Sequence, residues 1–335
     1  MNKKEFNALI VKEVGGKFYR GIEKQSIENL PDNDVLIKVK YSSLNYKDAL
    51  SAIGNKGITK KYPHTPGIDA AGVVVSSRTN NFLEGDKVIV TGYDLGMNTP
   101  GGFGEYIKVP NDWIVKLPEN INLKESMILG TAGLTAALAL DKLQQFGLKF
   151  REEEILVTGA TGSLGTLAIL ILSKAGYKNI TAATGKTNKA ELLQNLGANK
   201  VIDRNKNEID DKSGKPMLRG IWAGVIDSVG GNILATAIKS TQHGGAVAAC
   251  GLTQSFQLNT TVYPFILRAV KLIGIDSAAC PMNTRLRIWE KLSGELKINE
   301  LNYIYEEISL NQLDQKIHLM MEGKNTGRVI VNLEG

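Results

Sequence analysis

Two short stretches of this sequence carry residue types that could do chemistry. In Val157-Thr-Gly-Ala-Thr-Gly-Ser-Leu-Gly165, three glycines recur at intervals of three after an apolar run and ahead of an Ala- and Leu-rich one. If the first run is a strand and the second a helix, Gly159 allows the tight turn, Gly162 lets backbone amides approach a pyrophosphate, and Gly165 lets helix and strand pack closely. The helix start then presents N–H groups and partial positive charge to the anion. The second stretch, Asn45-Tyr46-Lys47-Asp48, groups an amide, a phenol and a carboxylate within four residues. Such a set can position a substrate, donate to an oxyanion and route a proton.

Residues beyond the glycine loop narrow its ligand. A site that prefers NAD usually places Asp or Glu about 20 residues on, at the end of the next strand, to hold the ribose hydroxyls. Here that position reads Ala183-Thr-Gly-Lys186, without an acid. Thr184 and Lys186 suit a 2′-phosphate instead, one by hydroxyl donation and one as a point charge, and Arg204 can add a guanidinium at the same end. NADPH is therefore the expected cofactor.

The elements that must hold these groups divide the chain. Alternating apolar and polar residues predict strands over 7–14, 34–42, 72–76, 87–91 and 105–110, separated by turn-rich segments, so the first 123 residues read as a β-rich domain. From 124 onward helical spacing over 124–147 gives way to an alternation of short strands and helices: strands at 154–157, 179–183, 200–202, 224–227, 246–249 and 272–275, with helices at 163–175 and 189–196. That pattern predicts an α/β fold with a doubly wound parallel sheet. After 285 come an amphipathic helix, a helix at 310–321 and a closing strand at 327–332 whose texture matches the first domain, so the chain is expected to return there. The expected division is 1–123 with 285–335, and 124–284.

Composition excludes several classes. A formal charge of +6 on 335 residues, with lysines interleaved among acids, makes no nucleic-acid stripe. Two cysteines and three scattered histidines make neither a disulfide framework nor a zinc site. Cys250 and Cys280 read as small buried hydrophobes, His64 as a loop residue, and Asp69 as a carboxylate capping backbone amides in a turn. No leader-like or bilayer-length apolar segment stands out, so a cytoplasmic protein without membrane or nucleic-acid partners is expected.

With the loop in mid-chain behind a β-rich domain, the sequence resembles the medium-chain dehydrogenases/reductases. Ser42-Ser-Leu-Asn-Tyr-Lys-Asp48, Pro66-Gly-Ile-Asp-Ala-Ala-Gly72, Gly130-Thr-Ala-Gly-Leu-Thr-Ala136, Val247-Ala-Ala-Cys-Gly-Leu252 and Pro264-Phe-Ile-Leu-Arg268 are similar to the acrylyl-CoA reductase and quinone oxidoreductase subfamily, over nearly the whole chain. The resemblance implies a Rossmann domain plus a GroES-like catalytic domain formed by both chain ends. It places Tyr46 beside the nicotinamide, Thr161, Gly162, Ser163 and Leu164 at the pyrophosphate, Thr184, Gly185, Lys186 and Arg204 at the adenosine phosphate, and Leu252, Ile266 and Ser277 along the nicotinamide. It also implies a homodimer, and the strand at 272–275 is expected at a sheet edge of the kind that pairing protects. Zinc-dependent relatives would carry Cys near Asn45, a His-Glu pair where this chain has Ile68-Asp69, and a four-cysteine lobe after about Thr91; none is present. The family often has Asn near Gly323, and that contact is missing. Short-chain dehydrogenases are set aside because no tyrosine has lysine four residues later.

Without a metal Lewis acid, hydride addition to an electron-poor C=C bond is favoured over alcohol oxidation, because the substrate's own carbonyl can carry the charge. The expected reaction is NADPH-dependent reduction of acrylyl-CoA to propionyl-CoA, with Tyr46, Asn45 and Asp48 as the catalytic-site residues. Three roles stay open for Tyr46: cofactor contact, proton donor or packing. Asn45 and Asp48 are expected to orient the loop. Lys56, Lys60, Lys61, Arg268 and Lys271 are the cations that could meet CoA phosphates. A quinone reductase would share every cofactor motif, and a non-catalytic NADPH-binding redox sensor is the rival of a different class.

Overall fold

The computed structural model describes residues 5–206, 209–299 and 301–334. The chain forms two compact units: Met1–Thr131 with Ala278–Ser293 and Glu300–Gly335, and Ala132–Ser277 with Gly294–Asn299. The crossings at 131/132 and 277/278 differ from the expected 123/124 and 284/285, and Gly294–Asn299, expected with the first unit, groups with the second. Asp69 binds Thr131 into the first unit. Arg285, fully buried, draws Ala278 in by donating to its carbonyl and to Thr91 O and Oγ1 while lying over the Tyr93 ring.

In the first unit, a seven-stranded sheet runs in the order Tyr305–Ser309, Arg328–Asn332, Val35–Leu44, Asp69–Ser77, Lys87–Thr91 and Ile114–Lys116, with Tyr106–Val109 also on Val35–Leu44. Val35, Ile37 and Val39 are buried while Lys38 is exposed, so the alternation seen in sequence is the core face of this central strand. The closing strand pairs antiparallel with it, Leu44 opposite Val329, which brings the two chain ends into one GroES-like sheet. A hairpin, Glu5–Val14 with Lys17–Ser26, makes a separate two-stranded sheet.

In the second unit, six parallel strands lie in the order Lys200–Asp203, Ile180–Thr184, Ile155–Thr158, Trp222–Asp227, Thr241–Ala249 and Lys271–Gly274. Order reverses between Ile155–Thr158 and Trp222–Asp227, the switch point where doubly wound sheets bind ligands beyond the carboxyl ends of their strands. Ile155, Leu156 and Val157 are buried on both faces, as an apolar run in a covered parallel sheet must be. Helix Ser163–Lys174 buries every residue from Gly165 to Leu172. The expected helix at 189–196 is a 3-10 turn, Thr187–Lys189, followed by Ala190–Asn195. Lys271–Gly274 is an edge strand, as anticipated.

The helix expected at 124–147 is interrupted. Leu123–Phe146 has the length and apolarity to cross a bilayer, but 78% of its apolar window is buried within the protein. It breaks at Gly130, whose φ of 50° and ψ of −154° are not helical. A Cβ at Gly130 would lie 2.6 Å from both Arg328 Nη2 and Asp69 Oδ2. Gly130→Ala combines left-handed strain with that collision and is expected to cost about 2 kcal/mol or more, read as a lower thermal midpoint; an unchanged midpoint would contradict the packing described.

Candidate active site

The glycine loop joins strand Ile155–Thr158 to helix Ser163–Lys174 at the switch point. A Cβ on Gly165 would stand 2.3 Å from Gly159 O and 2.6 Å from Ala160 Cα; only glycine lets the helix come this close to the loop. Gly162 N already donates to Gly159 O (2.9 Å), which fixes the turn. The first helical bond runs from Thr166 N to Gly162 O (3.0 Å), so the amides of Leu164 and Gly165 are among those helix geometry leaves for an outside acceptor. Thr158 Oγ1 donates to buried Asp227 (2.6 Å), whose other oxygen takes the amides of Val229 and Gly230. Burial raises the Asp227 pKa against these hydrogen bonds. Sequence reasoning did not single out Thr158 or Asp227, although an acid ending an apolar strand was a visible signal.

At the adenosine end Thr184 is 1% exposed, and its hydroxyl lies 2.9 Å from Thr161 Oγ1 and accepts from Lys186 N (3.0 Å). These bonds clasp the glycine loop to the end of the second strand. Arg204 follows the third strand and lies over Gly185, where a Cβ would meet its Nε at 2.8 Å. Lys186 shares this corner with Arg204 and Lys189; burial first, then these two cations, lower its pKa. An anion at this corner would relieve that repulsion. Of the three residues assigned to the nicotinamide side, Leu252 and Ile266 are exposed, whereas Ser277 is buried and accepts a hydrogen bond from Thr135 Oγ1 (2.7 Å).

Asn45, Tyr46 and Asp48 lie at the start of a short helix, Tyr46–Ala52, that follows Val35–Leu44 directly. Tyr46 is on the surface, 36% exposed, and among the described residues its hydroxyl has no hydrogen-bond partner. Asp48 is fully buried: its carboxylate accepts from Asn45 N (2.8 Å), Ile68 N (2.8 Å) and Gly67 N (3.2 Å). It thus holds the helix start to the next strand, and it is closed off from solvent.

Beneath them sits a cluster that sequence reasoning saw only in part. Asp69 accepts from Ser43 Oγ (2.7 Å), Asn45 Nδ2 (2.9 Å), Thr131 N (2.9 Å) and Thr131 Oγ1 (2.5 Å). Its capping of a backbone amide was expected; its partner Arg328, 3.8 Å away and equally buried, was not. Arg328 donates from Nε to Ile128 O (2.9 Å), from Nη2 to Met127 O (3.0 Å) and from Nη1 to Asn45 Oδ1 (3.1 Å). The guanidinium therefore caps the last carbonyls before the Gly130 break, and the carboxylate caps the first amide after it, each matching the helix dipole it meets. An arginine opening the apolar run Val329-Ile-Val331 was the available signal.

The remaining candidates have settled roles. Arg268 donates to the carbonyls of Leu218, Lys239 and Thr241, Lys271 to that of Gly244, and Lys56 pairs with Glu13 and lies over the Phe18 and Tyr62 rings. Lys60 and Lys61 are exposed. Cys280 is buried and burial pushes the half-buried Cys250 thiol up. His64 lies in a loop outside the named strands and helices, is buried, and burial lowers its pKa. Gly323 follows helix Leu313–Met321 with φ 67°. Among the described residues, no group of three or more His, Cys, Asp or Glu could hold a metal.

A glycine-loop helix at the switch point of a parallel sheet, in one chain with a GroES-like sheet, defines a dinucleotide-dependent oxidoreductase. Family models agree: "Alcohol dehydrogenase GroES-like domain" matches residues 31–119 and "Zinc-binding dehydrogenase" residues 163–291. "Putative quinone oxidoreductase YhfP" of Bacillus subtilis is 46% identical over 92% of this chain and 93% of its own. "Acrylyl-CoA reductase AcuI" of Ruegeria pomeroyi is 39% identical over 98% and 99%. Among solved structures, the yhdH oxidoreductase of Salmonella enterica in complex with NADP superposes with a TM-score of 0.94 at 37% identity, and Bacillus subtilis yhfP with NAD bound does so with 0.94 at 44%, each over 98% of this chain and 100% of the other. The chain belongs to the medium-chain dehydrogenase/reductase family, in its acrylyl-CoA reductase and quinone oxidoreductase subfamily.

Burial, and secondarily the Asp69 charge, raise the Asp48 pKa from 3.8 to about 7. Between about pH 4 and 7 the folded chain then holds a proton that the unfolded chain has lost, so this residue's contribution to stability falls as pH rises, and the fall is complete above about 7. Asp48→Asn keeps one acceptor for the Gly67 and Ile68 amides and removes the titration. Melting temperatures taken across that range are expected to fall less with pH in the variant than in wild type; parallel curves would rule the shift out.

Proposed function

We propose that the chain is an NADPH-dependent, zinc-independent reductase of the C=C bond of α,β-unsaturated thioesters, with acrylyl-CoA reduced to propionyl-CoA. The observation that carries this reading is the use of Asp69. Where zinc-dependent relatives hold a metal ligand, this carboxylate is matched by four hydrogen bonds and the Arg328 charge. A substrate carbonyl must then find its charge stabilisation in hydrogen bonds and in its own conjugation.

The glycine loop fits a dinucleotide, since glycine at 165 lets the helix start pack close against the loop at the switch point. Amides of the first helical turn would take the pyrophosphate, Lys186 and Arg204 the 2′-phosphate, and Leu252, Ile266 and Ser277 the nicotinamide side. Bound NADPH supplies the hydride for the β-carbon. Tyr46, its hydroxyl uncommitted, donates to the thioester oxygen as charge develops there or delivers the proton to the α-carbon. Asn45 and Asp48 orient Tyr46 and do no proton transfer. The similarity to AcuI supports the thioester.

A quinone as acceptor is favoured by a different observation: of five cations that could meet CoA phosphates, Lys56, Arg268 and Lys271 are held by internal partners. Steady-state NADPH oxidation with acrylyl-CoA and with a simple quinone decides between them. A kcat/KM at least about tenfold higher for the thioester is expected, and negligible thioester turnover would overturn the reading. Lys186→Ala and Arg204→Ala are each expected to raise the KM for NADPH roughly ten- to a hundredfold, as loss of a charged hydrogen bond does, and to leave that for NADH within about twofold. Equal effects on both nucleotides would remove these cations from the 2′-phosphate.

A further inference from the structure

Asn45 is the residue before Tyr46, and it is fixed from three directions. Its backbone N–H is held by Asp48 (2.8 Å), its Nδ2 donates to Asp69 Oδ2 (2.9 Å) and to Ser43 O (3.2 Å), and its Oδ1 accepts from Arg328 Nη1 (3.1 Å). The charges leave one orientation for the amide, because only its oxygen can face a guanidinium and only its NH2 a carboxylate. Two further Arg328 donors go to Ile128 O and Met127 O, which fixes the guanidinium plane, and a Cβ at Gly130 would sit 2.6 Å from its Nη2. Arg328 in turn is carried by a strand in register with Val35–Leu44, Val329 facing Leu44, so its side chain is delivered to the strand end from which Tyr46 projects.

We propose that Arg328 is a positioning residue for the reduction: acting through Asn45, it sets the attitude of Tyr46 at the first turn of the Tyr46–Ala52 helix. This rests on the reading of Tyr46 as the residue that meets the reacting substrate. With residue 45 fixed in main chain and side chain, only the two side-chain torsions of Tyr46 remain for its hydroxyl to find the substrate, and a displacement of about 1 Å at such a group can cost as much as a hundredfold in rate. Lysine cannot replace arginine here. Its ammonium keeps the charge opposite Asp69 but cannot reach two carbonyls and an amide oxygen as a planar fork does.

The test uses the full chain, saturating NADPH and whichever acceptor the wild type turns over best, so that the identity of the substrate does not enter. Arg328→Lys, Arg328→Gln, Asn45→Ala and Tyr46→Phe are compared with the doubles Arg328→Lys/Asn45→Ala and Arg328→Lys/Tyr46→Phe. Arg328→Lys is expected to lower kcat about tenfold or more with the KM for NADPH within about twofold, and each double is expected to be no slower than its slower single. Wild-type kcat in Arg328→Lys, or effects that multiply in the doubles, would overturn the proposal. If neither Arg328 variant melts above the assay temperature, Asn45→Ala carries the test, since it cuts the link and leaves Arg328 in place: wild-type turnover there is equally fatal. A slow Tyr46→Phe with normal Asn45→Ala and Arg328→Lys sinks the clamp and leaves the reading of Tyr46 standing. A normal Tyr46→Phe removes the hydroxyl from the chemistry and the proposal with it, whatever the Arg328 variants do.

Discussion

The first unit is organised around two charges taken out of water together. Asp69 and Arg328 are both fully buried, 3.8 Å apart. Burying an ion costs several kcal/mol even after relaxation, and the pair's attraction offsets that only if the remaining donors and acceptors are matched. They are matched from three short segments: Ser43 and Asn45 at a strand end, Thr131 after a helix break, and the carbonyls of Met127 and Ile128 before it. The interrupted helix, the glycine at position 130 and the short helix that begins at Tyr46 are three consequences of one requirement. Asp48 beside the pair, pushed by burial first and by the Asp69 charge second, holds its proton to about pH 7.

In the second unit three cations gather at one strand end. The loop's backbone is shaped by contacts that tolerate no side chain at Gly165 and is tied to the neighbouring strand end by the Thr161 and Thr184 hydroxyls. The strand end itself carries Lys186, Lys189 and Arg204, with burial and mutual repulsion lowering the Lys186 pKa. The corner is thus poised for an anion brought by a ligand.

Much of this was legible in the sequence where a single rule governed a residue. The parallel strands appear as apolar runs because both their faces are covered, and the return of the chain end to the first sheet appears in the alternation at 327–332. The strands Lys17–Ser26 and Tyr305–Ser309 escaped notice because they expose most of their side chains and so carry little apolar pattern. Position 130 escaped because Ala- and Leu-rich spacing reads through a glycine, and the break is set by partners distant in the chain. Arg328 escaped for the same reason: within a strand it is one odd residue, and its meaning lies in Asp69, more than two hundred residues earlier. The contact between the Thr161 and Thr184 hydroxyls was not foreseen, since a hydroxyl's direction is not a property of sequence.

If one buried pair joins these segments, loosening it must loosen all of them. Amide hydrogen exchange of Asp69→Asn against wild type, followed by mass spectrometry of fragments covering residues 45–52, 123–135 and 17–26, measures this directly. Exchange is expected to quicken about tenfold or more in the first two fragments together and to stay unchanged in the hairpin fragment, as for a cooperative local unit. Acceleration confined to residues 123–135, or absent from both, would contradict a structure held together through Asp69 and Arg328.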